Sequence, residues 1–120
     1  MSPKRGKRVA PPAPPPGKGE YDVLFECRAA EVGWKELGNK APGNTFRAWH
    51  EMRTNPAPQM QTPRHHQMDG DLAYGTKGGE TFPMWQLEVT GGGRIWYLLD
   101  EGRSICWVKV AGVGHPKATD

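Results

Sequence analysis

Sulfur is scarce in this sequence: 120 residues hold two cysteines, Cys27 and Cys106, with no CxxC pair and no ligand-spaced neighbour. Both therefore read as small buried hydrophobes, and neither a disulfide framework nor a zinc site is expected. Long apolar runs are also missing. The longest are strand-length, well short of the roughly 20 residues that a bilayer crossing needs, so a soluble, cytoplasmic protein is expected. The start of the chain lacks the apolar core of a secretory signal and the Arg/Ser pattern of a transit peptide. Internal repeats are absent too, which excludes solenoid and propeller architectures.

Acidic charge is nearly absent from the first twenty residues, MSPKRGKRVAPPAPPPGKGE, where five basic residues face the single Glu20. The same segment holds six of the twelve prolines, a composition too polar and too proline-rich to build a core. Residues 1–20 are expected to form a disordered arm of polyproline character, and residues 21–120 the folded domain. Taking the arm's charge of about +4 from the chain's +3 leaves the domain near −1. The basic isoelectric point thus belongs to the arm, and net charge alone gives no argument for nucleic acid. Lys4, Arg5, Lys7 and Arg8 read either as a solvated tail or as an auxiliary RNA contact resting on electrostatics alone.

Within the domain, residues 21–28 alternate, with Tyr21, Val23, Phe25 and Cys27 on one side of a half-buried strand. The period then changes. Ala30, Trp34 and Leu37 recur at helical spacing before Gly38-Asn39, which reads as a stop signal. Residues 42–54 form a second helical run, with Phe46, Trp49 and Arg53 on one side and Ala48 and Met52 beside them, ended by Asn55-Pro56. Residues 55–64 contain three prolines and no periodicity, a loop of the length that often carries function. A strand or turn starts at His65, with Asp69 and Asp71 as turn formers. The last thirty-six residues read as three strands separated by Gly91-Gly92-Gly93 and residues 100–103, an antiparallel meander. The expected order is β-α-α-β-β-β, with one additional short strand allowed.

This order, together with Met68-Asp69-Gly70-Asp71-Leu72, Trp85-Gln86-Leu87-Glu88-Val89, Arg94-Ile95-Trp96-Tyr97 and Val113-Gly114-His115-Pro116-Lys117, resembles the RelE/ParE superfamily of toxins from type II toxin-antitoxin systems. The resemblance spans residues 21–120. It implies an α+β fold in which two N-terminal helices pack on one face of a small, mostly antiparallel sheet of four or five strands, while the other face, concave and basic, binds substrate. It also implies a cognate antitoxin as partner. In the RNA-cutting branch, messenger RNA and the ribosome are partners as well, and no metal or other cofactor takes part.

Metal-free cleavage of RNA needs a base for the ribose 2′-hydroxyl, cations for the charge growing on the phosphate, and an acid for the departing 5′-oxygen. By the resemblance, Arg94 occupies the recurrent arginine of the middle strand, and its planar fork suits a phosphate. His115 falls where a general acid is expected and Lys117 where a second phosphate clamp belongs. Arg64, His65 and His66 lie on the segment that carries a basic residue or the base. Adjacent strand residues point to opposite faces, so only one of the two histidines can belong to the site.

Each residue has a plainer reading beside this one. Arg94 either holds a phosphate or pairs with Glu88 across the glycine turn. The two histidines are either functional or polar residues at a loop end. Trp34, Trp49, Trp85, Trp96 and Trp107 read as packing residues, with Trp96 or Trp107 as the alternative base-stacking surface. Two further functions share the fold. One is a toxin that inhibits DNA gyrase by binding, without nuclease chemistry. The other is a catalytically inactive relative that binds RNA or protein.

Overall fold

The computed structural model describes residues 15–114, and within them the chain is α+β. Strand β1 covers Asp22–Phe25, with Val23 and Phe25 turned to the main core. It is shorter than the alternating pattern suggested. Cys27 is extended at the N-cap position, and Arg28 already opens helix α1 (Arg28–Lys40). Ala30, Trp34 and Leu37 are buried along that helix, as their spacing requires.

Gly38 and Asn39 do not stop α1. The helix ends at Ala41, whose φ of −142° takes it out of the helical region immediately before Pro42. Proline disfavours a helical conformation in the residue before it, and that steric clash overrides the weaker glycine signal. The same proline then starts helix α2 (Pro42–Thr54), where its missing N–H costs nothing. Ala48 and Met52 are fully buried and Trp49 nearly so. Phe46 is 61 % exposed and lies against the Trp49 ring instead of entering the core.

Five strands follow: β2 (His65–Gln67), β3 (Tyr74–Lys77), β4 (Glu80–Glu88), β5 (Arg94–Asp100) and β6 (Ile105–Gly112). The sheet runs β1-β6-β5-β4-β2, with β3 also on β4. Only the β1/β6 pairing is parallel. Six strands replace the expected four or five because one edge of the nine-residue β4 is shared. Its Trp85–Leu87 segment pairs with β2, and its Glu80–Pro83 segment pairs with β3. The sequence of β3, YGTK, carries little strand signal of its own. Its hairpin closes through Gly78 and Gly79, both at positive φ (59° and 81°), a turn that suits the twist of a two-residue hairpin.

Two apolar clusters lie on opposite sides of this sheet. The larger, beneath the helices, joins Phe25, Trp34, Leu37, Met52, Leu87, Ile95 and Tyr97. Gly33 lets α1 lie directly on β6, since a Cβ there would run into the carbonyl of Ala111. The smaller cluster, on the other face, is Met68, Phe82, Met84, Trp96 and Leu98. The β3/β4 hairpin folds over this cluster, and Gly75 packs on the Leu98 side chain. Among the described residues no helix is long and apolar enough to cross a membrane.

Candidate functional site

Strand alternation sorts the polar residues between the two faces. Opposite neighbours in the sheet run His65, Leu87, Ile95, Ala111 on the helix side, and His66, Gln86, Trp96, Val110 on the open side. The next open-side row pairs Glu88 with Arg94 and Arg94 with Gly112. The adjacent histidines therefore lie in different chemical worlds.

His65 is 3 % exposed beneath the helices. Its Nδ1 lies 2.7 Å from Glu51 Oε2 and its Nε2 2.6 Å from the Tyr97 hydroxyl. The Tyr97 hydroxyl also lies 2.6 Å from the Pro56 carbonyl. Tyr97 has a single hydroxyl proton, so its bonds to Pro56 and to His65 Nε2 cannot both be donations. In the neutral ring that burial favours, Nδ1–H donates to Glu51 and Nε2 accepts from the Tyr97 hydroxyl; when Tyr97 donates to the Pro56 carbonyl instead, the ring donates from Nε2 and needs a second proton to keep its bond to Glu51. Burial pushes the His65 ring below its ordinary value against the pull of Glu51. Burial would raise the Glu51 carboxyl, but hydrogen bonds from Arg64 and His65 hold it below the usual range. Burial drives the Tyr97 hydroxyl well up. The network joins α2, the proline-rich loop, β2 and β5.

His66 is half-buried on the open face. Its Nδ1 lies 2.9 Å from the Gln67 carbonyl, which can only accept, so Nδ1 is protonated and the lone pair sits on Nε2. That lone pair meets the Gln86 amide nitrogen at a long 3.4 Å, while Gln86 Oε1 accepts from Trp96 Nε1 at 2.8 Å. One row thus fixes the histidine tautomer across three strands. Arg94 lies in the adjoining row, its guanidinium 3.6 Å from Glu88 Oε2 and its side chain 14 % exposed. The plain pairing across the glycine turn is therefore present. Gly112 stands opposite Arg94, so β6 ends beside Arg94, and Val113 after it packs against the helix-side core.

The sequence-derived residues are only partly brought together. His66 and Arg94 share a face, two strands apart. His65 is on the opposite side of the sheet. Arg64 sits at the sheet edge, paired with Glu51 at 2.9 Å. His115 and Lys117 lie outside the described residues. Lys109 is the extra residue of a bulge, since Trp96 faces Val110 while Tyr97 faces Val108.

The far end of the open face is closed by ion pairs. Arg103 bonds Asp100 and Glu80, each at 2.8 Å, and these carboxylates raise its already high pKa further. Lys77 lies 4.0 Å above the Trp107 ring, covering one side of the surface on which a base would stack. The concave, basic face implied by the resemblance is, over this half, apolar and covered by the hairpin.

Sequence reasoning did not find the Glu51, His65, Tyr97 network or the tautomer-setting role of Gln86. Both depend on cross-strand register, which no single segment carries. Among the described residues no cluster of His, Cys, Asp and Glu is arranged to hold a metal. The sequence matches no family model, and neither curated proteins nor solved structures give a match.

Proposed function

We propose that the protein is the toxin of a type II toxin-antitoxin pair, a metal-independent, ribosome-associated endoribonuclease of the RelE/ParE kind, held inactive in the cytoplasm by its cognate antitoxin. The observation that carries this reading is the placement of His66 and Arg94 on the sheet face opposite the helical hairpin, with β6 ending beside Arg94. A proton acceptor and a phosphate-binding fork then face one side of the molecule.

In this mechanism His66 Nε2 takes the proton of the ribose 2′-hydroxyl, exchanging its long contact with Gln86 for the substrate. The 2′-oxygen bonds to the adjacent phosphorus as the bond to the 5′-oxygen breaks, leaving a cyclic phosphate. Arg94 stabilises the charge on the phosphate oxygens, in competition with Glu88. His115 gives the departing 5′-oxygen its proton, and Lys117 is the second clamp. His65 has no part in the chemistry, because it is sealed beneath the helices.

Induced expression in a bacterial host tests the reading. Growth arrest with cleaved transcripts is expected, and Arg94→Ala, His66→Ala or His115→Ala each lower cleavage by roughly 100-fold or more while the variants still fold, the scale of a lost acid-base group. Arrest with a DNA-damage response and intact transcripts indicates gyrase inhibition. No arrest indicates an inactive binding relative.

A further inference from the structure

Beside His66, the proline-rich loop and the edge of β2 enclose a shallow cleft of about 390 Å³, lined by Gln61, Thr62, Pro63, His66, Gln67 and Asp69. Its size lies near the lower end of small-ligand sites, roughly 300 Å³ upward. The walls are preset. Thr62 and His65 exchange backbone hydrogen bonds at 3.0 and 3.1 Å, and Gln67 N donates to Gln61 Oε1 at 3.0 Å. The loop carrying Pro63 is therefore stitched to β2, although its sequence has no periodicity. With Gln61 Oε1 engaged, its Nε2 supplies a donor at the rim.

Asp69 is the unusual member. It stands at the N-cap of the short 3-10 turn Gly70–Leu72, where an aspartate side chain would normally accept a backbone N–H, yet it makes no such bond. The turn is closed by its backbone carbonyl, which accepts from Leu72 N at 3.2 Å. The residue is exposed, so its carboxylate borders the cleft as an acceptor that the turn does not use.

We infer that this cleft is a nucleobase subsite that selects guanine in the RNA held at His66, through Asp69. The inference rests on the RNA-cutting reading above. Guanine presents two adjacent donors, N1–H and the N2 amino group, and a carboxylate accepts both at once. Beside them is the O6 acceptor, which the Gln61 amide complements. Cytosine and adenine present a ring acceptor next to the amino group, and uracil a single donor, so none matches a carboxylate equally well. Single-stranded RNA exposes these base edges to such pockets.

Mapping the 5′ ends of transcripts cleaved in cells by the full chain tests this. Wild-type cuts are expected beside guanine over adenine by about ten-fold or more, the discrimination of one good bidentate contact. Asp69→Asn replaces two acceptors with a donor and an acceptor, which complement adenine, so the preference shifts from guanine toward adenine. Asp69→Ala lowers the guanine preference without creating another. Cutting without guanine preference in the wild type, or an unchanged preference in Asp69→Asn, overturns the subsite and leaves the nuclease reading standing. Intact transcripts in the wild type overturn the nuclease reading, and the subsite with it.

Discussion

The two faces of the sheet both bury large side chains but treat polar groups differently. Under the helices, Glu51, His65, Tyr97 and the Pro56 carbonyl are linked in a closed, buried chain. On the open face, the chain from Trp96 through Gln86 ends on a histidine lone pair with a long, weak contact. A closed network of this kind holds the fold, because any missing partner leaves a buried polar group unsatisfied. An open-ended one leaves a group able to meet a substrate. The largest expected effect lies in the closed layer. Leu37 is fully buried and touches the β4/β5 turn, where a Cβ on Gly93 would lie 2.8 Å from its Cδ2. Leu37→Ala should cost about 3 to 4 kcal/mol in urea unfolding, the usual loss for a buried leucine. A loss below about 1 kcal/mol would show that the helical layer is not the principal core.

The adjacent histidines give a sharper comparison, since they differ by one position and by the whole thickness of the sheet. His65→Ala takes one buried partner from Glu51, which keeps Arg64, and one from the Tyr97 hydroxyl, which keeps the Pro56 carbonyl, and with the lost ring about 2 to 3 kcal/mol of stability should go. His66→Ala removes a half-buried ring with one short hydrogen bond, and about 0.5 to 1 kcal/mol is expected. Equal losses in the two variants would break the contrast between the faces.

That the two rings point apart was legible from strand alternation, but which one lies inside was not. The answer depends on Glu51 and Tyr97, fourteen residues before and thirty-two after His65, and on the register that aligns them. Periodicity sufficed for the helical hairpin, because its apolar spacing is long and locally consistent. It failed for β3, whose four residues become a strand through pairing with β4. It failed likewise for Phe46, which follows the apolar spacing of α2 but lies at its exposed edge. Arg103, in the turn before β6, is committed by the fold to Glu80 and Asp100, a pairing that its local sequence does not reveal. The Asp69 cleft could not be read from the sequence because its loop and strand walls meet only through backbone pairing.

The smallest effect expected is a dependence on pH that comes from the closed face. The groups around His65 are Glu51 from α2, Tyr97 from β5 and Arg64 beside it, and burial is the largest influence on the ring. Folding lowers its pKa from the ordinary 6.5, so over the interval between that value and the folded one the unfolded chain binds more protons. Stability is then fully present above about 6.5 and declines as the pH falls toward the folded value. Glu51 has the same sign at lower pH: its carboxyl is held below the ordinary 4.5, so its contribution is lost as the pH falls through the folded value. Urea midpoints measured from pH 7 to pH 5 should fall in the wild type, and the His65 contribution to that fall should vanish in His65→Ala. Because His66→Ala leaves the buried network intact, it should retain the decline. A pH profile unchanged by His65→Ala would place the acid sensitivity outside this network and remove the distinction that burial draws between the two rings.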